Sequence, residues 1–178
     1  MATLGTYPLF QQAYLVNDLE ASIHQWHALL GAGPFVITAH HRTDRFAYRG
    51  TPQEADVSYA FGYLGDTMIQ FIVQHDDTPS IYRDMYAAGQ EGYHHMAVLV
   101  NDFEAEYQRL IDLGYEPACR LYADGVDAAY FDTRDVNGGF TEIHGDPPHI
   151  LQAFATWRRA HELYRPGDSP FLARPGRP

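Results

Sequence analysis

The stretch Leu15-Val16-Asn17-Asp18-Leu19-Glu20-Ala21 occurs a second time in this chain with a single change. The second copy, Leu99-Val100-Asn101-Asp102-Phe103-Glu104-Ala105, lies 84 residues later and is identical at six of the seven positions. A repeat this close indicates two copies of one supersecondary unit. The same offset pairs Gln11 with His95, which stand shortly before the two copies. The repeat therefore allows positions in the two halves of the chain to be compared directly.

The composition describes a globular chain of 178 residues that is 46% hydrophobic. A formal net charge of −11 argues against nucleic acid or an anionic membrane as the main partner. The single cysteine, Cys119, excludes an internal disulfide and is expected to be a buried core residue. No apolar run is long enough to span a bilayer, and the N-terminus has no signal-peptide pattern. We therefore expect a cytoplasmic protein.

Each copy of the repeated stretch joins a predicted strand to a predicted helix. Residues 10–16 and 93–100 are short apolar and aromatic runs, which are typical of strands. Asn17 and Asn101 each stand three residues before a glutamate, the spacing of a helix capping box. This spacing predicts asparagine in both helix N-caps. The repeated unit is therefore read as strand, tight turn and amphipathic helix.

Further strands are predicted after each helix. They cover residues 35–38, 56–64 and 67–74 in the first half, and 118–122, 127–132 and 140–144 in the second. The stretch 43–54 is expected to be mostly loop, with some strand near residues 46–48. The last strand of each half has one polar residue among apolar ones: Gln70 in the first and Glu142 in the second. A polar side chain buried in such a strand must find partners.

We expect residues 1–178 to form a single domain. Its predicted parts are a first module at 7–75, a crossover at 76–92, a second module at 93–147, and a C-terminal helix with a loose arm at 148–178.

Strand geometry decides between neighbouring polar residues, because adjacent side chains point to opposite faces. By this rule His94 and His95 cannot both face one site, and neither can Gln11 and Gln12. The 84-residue offset pairs Gln11 with His95, and it pairs the apolar Phe10 with His94. Gln11 and His95 are therefore predicted to point inward.

Four other histidines are weaker candidates for a pocket, because for each of them a loop or surface position is the simpler interpretation. They are His40, His41, His75 and His144.

These motifs resemble the vicinal oxygen chelate superfamily, which includes glyoxalase I, extradiol dioxygenases, bleomycin-resistance proteins and methylmalonyl-CoA epimerase. The resemblance covers residues 7–147 and rests on the two repeated stretches, on Gly92-Tyr93-His94-His95-Met96-Ala97 and on Thr141-Glu142-Ile143. It implies an α+β fold in which two βαβββ modules form a half-barrel cleft around a divalent metal. The family takes its metal ligands from the first and last strand of each module. The matching positions here are Gln11, Gln70, His95 and Glu142.

The epimerase-like subgroup resembles this chain most, and its ligands in chain order are His, Gln, His and Glu. This chain departs at the first position, where it has Gln11. An amide oxygen is a neutral and weaker donor than imidazole, so a divalent ion such as Zn, Co, Ni, Mn or Mg would be held less tightly. A non-heme iron dioxygenase needs two histidines and one carboxylate, so extradiol cleavage is not expected.

Two main functions follow from the resemblance. The first is a metal-dependent isomerase, epimerase or lyase of the glyoxalase type, in which a proton next to a metal-bound carbonyl is removed to give an enolate. Glu142 would act as both ligand and base. The second is a non-catalytic protein of the bleomycin-resistance kind, which binds a small molecule in the cleft between the modules. A degenerate site in a structural dimer is a third alternative. A homodimer is expected in each case.

Overall fold

The computed structural model describes residues 3–172, which form one curled, ten-stranded sheet with helices on its surface. The strands are β1 (Leu9–Leu15), β2 (Val36–His41), β3 (Arg45–Tyr48), β4 (Thr51–Pro52), β5 (Val57–Leu64), β6 (Thr67–Gln74), β7 (Gly92–Val100), β8 (Pro117–Ala123), β9 (Val126–Asp132) and β10 (Phe140–Gly145). The helices are α1 (Leu19–Leu30), α2 (Ile81–Met85), α3 (Phe103–Asp112), α4 (Arg134–Asn137) and α5 (Pro148–Leu163), preceded by a 3₁₀ turn at Leu4–Thr6. The α+β half-barrel expected from the sequence is confirmed.

The sheet joins the two modules through their first strands. Its strand order is β2-β5-β6-β1-β7-β10-β9-β8-β3-β4. Strands β1 and β7 pair antiparallel at the centre, while β6 and β10 each run parallel to the first strand of their own module. The first and last strands of both modules therefore occupy four consecutive positions, the third to the sixth, in the sheet.

The β3–β4 hairpin shows how strongly the sheet curls. The stretch 43–54 was expected to be mostly loop, but β3 pairs antiparallel with β8 of the other module, with Tyr48 opposite the buried Cys119. Only residues 42–44 connect β2, at one edge of the sheet, to β3 near the other edge. Four Cα steps reach at most about 15 Å, so the two edges must approach each other and enclose a cleft.

Two helices cover the outer face of the sheet, one for each module. On α1, Ile23 packs in a cluster with Phe35 and Phe71. On α3, Leu110 packs in a corresponding cluster with Phe131 and Ile143. Because alternate strand residues point to opposite faces, this outer packing leaves the other side chains of the central strands to line the inside.

The caps of these helices differ from the sequence prediction by one residue. Asp18 is the N-cap of α1 and accepts a hydrogen bond from Ala21 N–H, and Asp102 does the same for Ala105 N–H at α3. The prediction of Asn17 and Asn101 as caps was wrong. Asn17 instead donates from its side chain to Gly89 O in the crossover. Aspartate and asparagine are almost equally good caps, so composition alone does not separate the two neighbours.

Helix α5 lies against the inner mouth of the cleft rather than on the outer face. Trp157 stacks on Phe61 of β5 with ring centroids 5.6 Å apart, and Phe154 stacks on Phe10 of β1 at 5.4 Å. The chain then returns to the start of β2, where Leu172 N–H donates to Phe35 O. This part of the predicted arm is therefore attached to the first module, while residues 173–178 lie outside the described residues.

Within residues 3–172, no helix combines the length and the apolar character that crossing a bilayer requires.

Replacing Asp102 with alanine removes the N-cap of α3 and should lower the free energy of unfolding by about 1 kcal/mol. Replacing the adjacent and exposed Asn101 with alanine is the matched control and should change it by less than about 0.5 kcal/mol. Urea denaturation followed by circular dichroism measures both values. A larger loss for Asn101→Ala than for Asp102→Ala would contradict the observed cap.

Candidate functional site

The four polar residues singled out from the sequence meet at the centre of the sheet. Gln11 Nε2 lies 3.0 Å from Gln70 Oε1 and 3.2 Å from His95 Nε2. His95 Nε2 in turn lies 3.0 Å from Glu142 Oε2. All four side chains are buried. The four adjacent strands β6, β1, β7 and β10 contribute one residue each, and we call this group the central site.

A neighbour that strand alternation had excluded also takes part. The pairing of β1 with β7 places Ala13 opposite His95 and Tyr14 opposite Tyr93, so His94 is an extra residue in β7. Such a β-bulge disturbs the alternation of side chains and re-aims the residue concerned. His94 Nδ1 consequently lies 2.8 Å from His95 Nδ1. His94 contacts His95 without lining the cavity, and the alternation rule, which assumes a regular strand, did not anticipate this contact between the two rings.

The hydrogen bonds of His94 determine which nitrogen of His95 faces the site. His94 Nε2 lies 3.1 Å from Ile81 O, a carbonyl that can only accept, so Nε2 carries the proton. Burial lowers the pKa of His94 well below its ordinary value, so His94 is neutral and its Nδ1 accepts. His95 Nδ1–H must then donate to it. Burial lowers the pKa of His95 to about 3, so its Nε2 keeps a lone pair that faces Gln11 and Glu142.

The carboxyl group of Glu142 is almost completely buried. Burial raises its pKa from 4.5 to about 7, although a hydrogen bond with Tyr130 favours the charged form. Its Oε2 is buried and has no hydrogen-bond partner when the group is treated as a carboxylate. Since His95 is neutral, the 3.0 Å contact between Oε2 and His95 Nε2 is not an ion pair. Two lone pairs at this distance require either a proton on Glu142 or a cation beside them.

The donor set of the central site fits a divalent metal. It offers one imidazole nitrogen, one carboxylate and two amide groups, which present oxygen when the amides turn about their last bond. Metal–ligand bonds of about 2.1 Å at right angles place neighbouring donor atoms about 3 Å apart. The 3.0 Å contact between His95 Nε2 and Glu142 Oε2 agrees with that spacing. The contacts of 3.0 and 3.2 Å from Gln11 Nε2 are hydrogen bonds, which would be replaced when the amide turns its oxygen to an ion. Gln11 offers a neutral amide oxygen, which is a weaker donor than imidazole, so the set is weaker than one with two histidines.

A cavity of about 140 Å³ opens onto the central site. Three of the four site residues line it, and His95 lies behind them. Aromatic side chains from three elements form much of its wall: Tyr59 and Phe61 from β5, Tyr130 from β9, and Phe154 and Trp157 from α5. The cavity is small by comparison with ligand sites of about 300–1,000 Å³, since α5 narrows it.

The four weaker histidine candidates separate into two pairs. His41 and His144 line the cavity, whereas His40 and His75 do not. His40 and His75 come together with Asp56 elsewhere on the molecule.

Several lining residues were not identified from the sequence. Tyr59 and Tyr130 are buried and belong to strands that had been recognised, but the 84-residue repeat does not pair them. The sequence predicted a C-terminal helix within residues 148–178, yet nothing in it indicated that Phe154 and Trp157 face the cleft. His94 had no local signal, because the bulge that places it arises from the register of β7 against β1.

The raised pKa of Glu142 predicts how the stability of the metal-free protein depends on pH. A carboxyl whose pKa is higher in the folded than in the unfolded state loses stability as pH rises from about 4.5 to about 7. Glu142→Gln removes this loss. The free energy of unfolding of the variant, relative to that of wild type, should therefore rise by about 2–3 kcal/mol between pH 5 and pH 8. Urea denaturation with EDTA at both pH values measures the difference. Parallel pH profiles for the two proteins would contradict the raised pKa.

Comparison with known proteins agrees with this geometry. A family model described as the glyoxalase/bleomycin resistance protein/dioxygenase superfamily matches residues 10–131. No curated protein matches the chain at a significant level.

Three solved structures illustrate the similarity of fold. Methylmalonyl-CoA epimerase from Mycobacterium tuberculosis is 18% identical, with a TM-score of 0.57 over 81% of this chain and 91% of that one. A hypothetical protein from Bacillus halodurans C-125 is 17% identical, with a TM-score of 0.58 over 80% and 96%. A variant of Streptomyces coelicolor methylmalonyl-CoA epimerase in complex with 2-nitronate-propionyl-CoA is 18% identical, with a TM-score of 0.51 over 79% and 97%.

Identities this low show the fold and not the reaction, whereas the family model covers more than half of the chain. With the paired modules and the four converging residues, the match establishes that the chain belongs to the glyoxalase/bleomycin resistance protein/dioxygenase superfamily.

Proposed function

We propose that this protein is a metal-dependent isomerase or epimerase that moves a proton at a carbon next to a carbonyl group. The observation that carries the proposal is the contact between Glu142 Oε2 and the unprotonated His95 Nε2, at 3.0 Å in a buried site. Structural neighbours that are epimerases support the same reaction type at low identity. A lyase that begins with the same proton removal uses the same groups.

The ion would be held by Gln11, Gln70, His95 and Glu142. When bound, a divalent metal supplies a Lewis acid that polarises the carbonyl and stabilises the negative charge of an enolate. His94 holds His95 in the tautomer that a metal requires, in the way that partners outside the ligand shell usually do.

Glu142 is the proposed base. Burial raises the pKa of this carboxyl to about 7 in the metal-free protein, and a bound cation would favour the carboxylate, which is the form that takes a proton. Tyr130 hydrogen-bonds to the carboxyl and orients it within the cavity wall. Inversion at carbon needs a second proton donor on the opposite side. Of the two lining histidines, His144 shares strand β10 and its face with Glu142, so His41 on β2 is the candidate for that role.

The cavity limits the chemical class of the substrate. Among the described residues that line it, none is arginine, and the chain contains no lysine. A negatively charged group of the substrate would therefore have to lie at the metal or point out of the cleft. A cavity of about 140 Å³ suits the reacting head of a substrate, such as a small acyl or 2-oxo group.

The second function considered from the sequence is binding of a small molecule without catalysis, and one observation supports it. Gln11 donates to both Gln70 and His95, so these three side chains have hydrogen-bond partners without an ion. The cavity wall is also largely aromatic. Metal content separates the alternatives, because a protein that only binds organic ligands needs no ion. A homodimer, a cytoplasmic location and the identity of the metal stay predictions.

Metal binding at the central site should release a proton. Glu142 must ionise to become a ligand, so affinity for Mn²⁺ or Zn²⁺ should rise between pH 6 and pH 8. Calorimetric titration in buffers of different ionisation enthalpy measures the protons released. Wild type should release about one more proton at pH 6 than Glu142→Gln. Equal metal affinity in the two proteins would contradict a metal role for Glu142.

Glu142→Gln should also lower turnover by a factor of about 100 or more, since the base is lost. The assay follows exchange of the acidic hydrogen with deuterated water, in a panel of small acyl thioesters and 2-oxo compounds that includes methylmalonyl-CoA. The exposed Glu54 provides the matched control, and Glu54→Gln should keep the wild-type rate. Undiminished exchange in Glu142→Gln would remove the assignment of the base. Tight binding of compounds without exchange in metal-loaded protein would favour the binding function.

A further inference from the structure

A second group of metal-ligating side chains lies outside the cavity. One ligand atom from each of His40, Asp56 and His75 falls within 4.8 Å of the others. We call these three residues the His40 cluster. His40 is near the end of β2, Asp56 directly precedes β5, and His75 directly follows β6. The cluster therefore lies at one end of three adjacent strands.

Backbone hydrogen bonds hold the three residues in place. Strands β2, β5 and β6 are neighbours in the sheet, with Val57 opposite both His41 and Gln74. His75 N–H donates to Asp56 O at 2.8 Å, which extends the pairing of β5 and β6 into the cluster. The ligand positions thus belong to the sheet rather than to a loose loop, so little ordering is needed when an ion binds.

A strained bulge aims His40 at the cluster. The register of β2 against β5 shifts between Thr38 and His41, and His40 has a φ of 46°. A residue other than glycine in this left-handed region costs roughly 1 kcal/mol or more, and such strain is often found at functional positions. His40 N–H donates to Ser58 Oγ at 2.9 Å, which stabilises the bulge. The bulge separates His40 from His41, so that only His41 lines the cavity.

The ligand atoms of the cluster are already close together. His40 Nδ1 lies 2.8 Å and 3.0 Å from the two carboxylate oxygens of Asp56. The ring centroids of His40 and His75 are 4.7 Å apart. Ser58 Oγ lies 2.7 Å from His75 Nε2 and can hold that ring by accepting its N–H, which leaves Nδ1 with a lone pair. As a surface ion pair alone, His40 and Asp56 would contribute little to stability.

We propose that the His40 cluster is a second divalent-metal site, which takes a transition metal of the zinc class. Two imidazoles and one carboxylate are the donors that zinc commonly uses, with water in a fourth position. Asp76 and Asp77 directly follow His75, and Asp76 accepts a hydrogen bond from Asp56 N–H, so the surroundings favour a cation. An ion here would fix the end of β2 next to His41, and hence one wall of the cavity.

Zinc titration of EDTA-treated protein, followed by calorimetry, tests the proposal. His75→Ala and Asp56→Asn should each lower the zinc affinity of one of the two classes of site by more than about tenfold, because each removes a ligand of the His40 cluster. His24→Ala removes an exposed imidazole on α1 and serves as the control, which should titrate like wild type. The same class of binding should persist in Glu142→Gln, because the central site is separate from the cluster.

Long-range proton–nitrogen NMR of the imidazoles gives a readout specific to the residues. The signals of His40 and His75, assigned from single variants, should shift when zinc is added, while that of His24 should not. Identical titrations for His75→Ala and wild type would overturn the proposal. So would the loss of all zinc binding in Glu142→Gln.

Discussion

The antiparallel pairing of β1 with β7 is the contact on which the rest of the molecule depends. Each module has its last strand parallel to its first, so this single pairing places β6, β1, β7 and β10 side by side. One polar side chain from each strand then points to the same interior position. Neither module could assemble such a group alone, because each supplies only half of the donors.

Burial of that polar group would be unfavourable without an ordered set of partners. An amide or hydroxyl left without a hydrogen bond in an apolar interior costs roughly 1–3 kcal/mol, and an unpaired charge costs more. The chain from Ile81 O through His94 to His95 meets this requirement on one side, since every proton in it has a defined position. On the other side Glu142 Oε2 remains without a partner as a carboxylate. The site is therefore complete only with a proton or a cation there, and this links its stability to its proposed chemistry.

The irregular residues of the strands carry more of the proposed function than the regular ones. His94 and His40 both lie at register shifts, and each is turned toward a neighbouring histidine or carboxylate. Phe10 is the corresponding extra residue in β1, and its ring packs on Phe154 of α5. At a bulge, two adjacent side chains can point toward the same side of a sheet, which a regular strand does not allow. In this fold they connect the central site, the cavity wall and the His40 cluster.

The sequence by itself determined the repeat, most of the strands and helices, and the candidates Gln11, Gln70, His95 and Glu142, which the family resemblance assigned to one site. The repeat and the elements depend on local pattern and on one offset that equates the two halves. Only the tertiary structure decided that His94 supports His95, that aspartate caps the helices, that α5 closes the cleft, and that His40, Asp56 and His75 meet. The physical reason is that a bulge arises from register between strands far apart in the chain, and no local pattern encodes that register. A helix face can likewise be recognised as apolar from its period, but what covers that face depends on the packing of the whole chain.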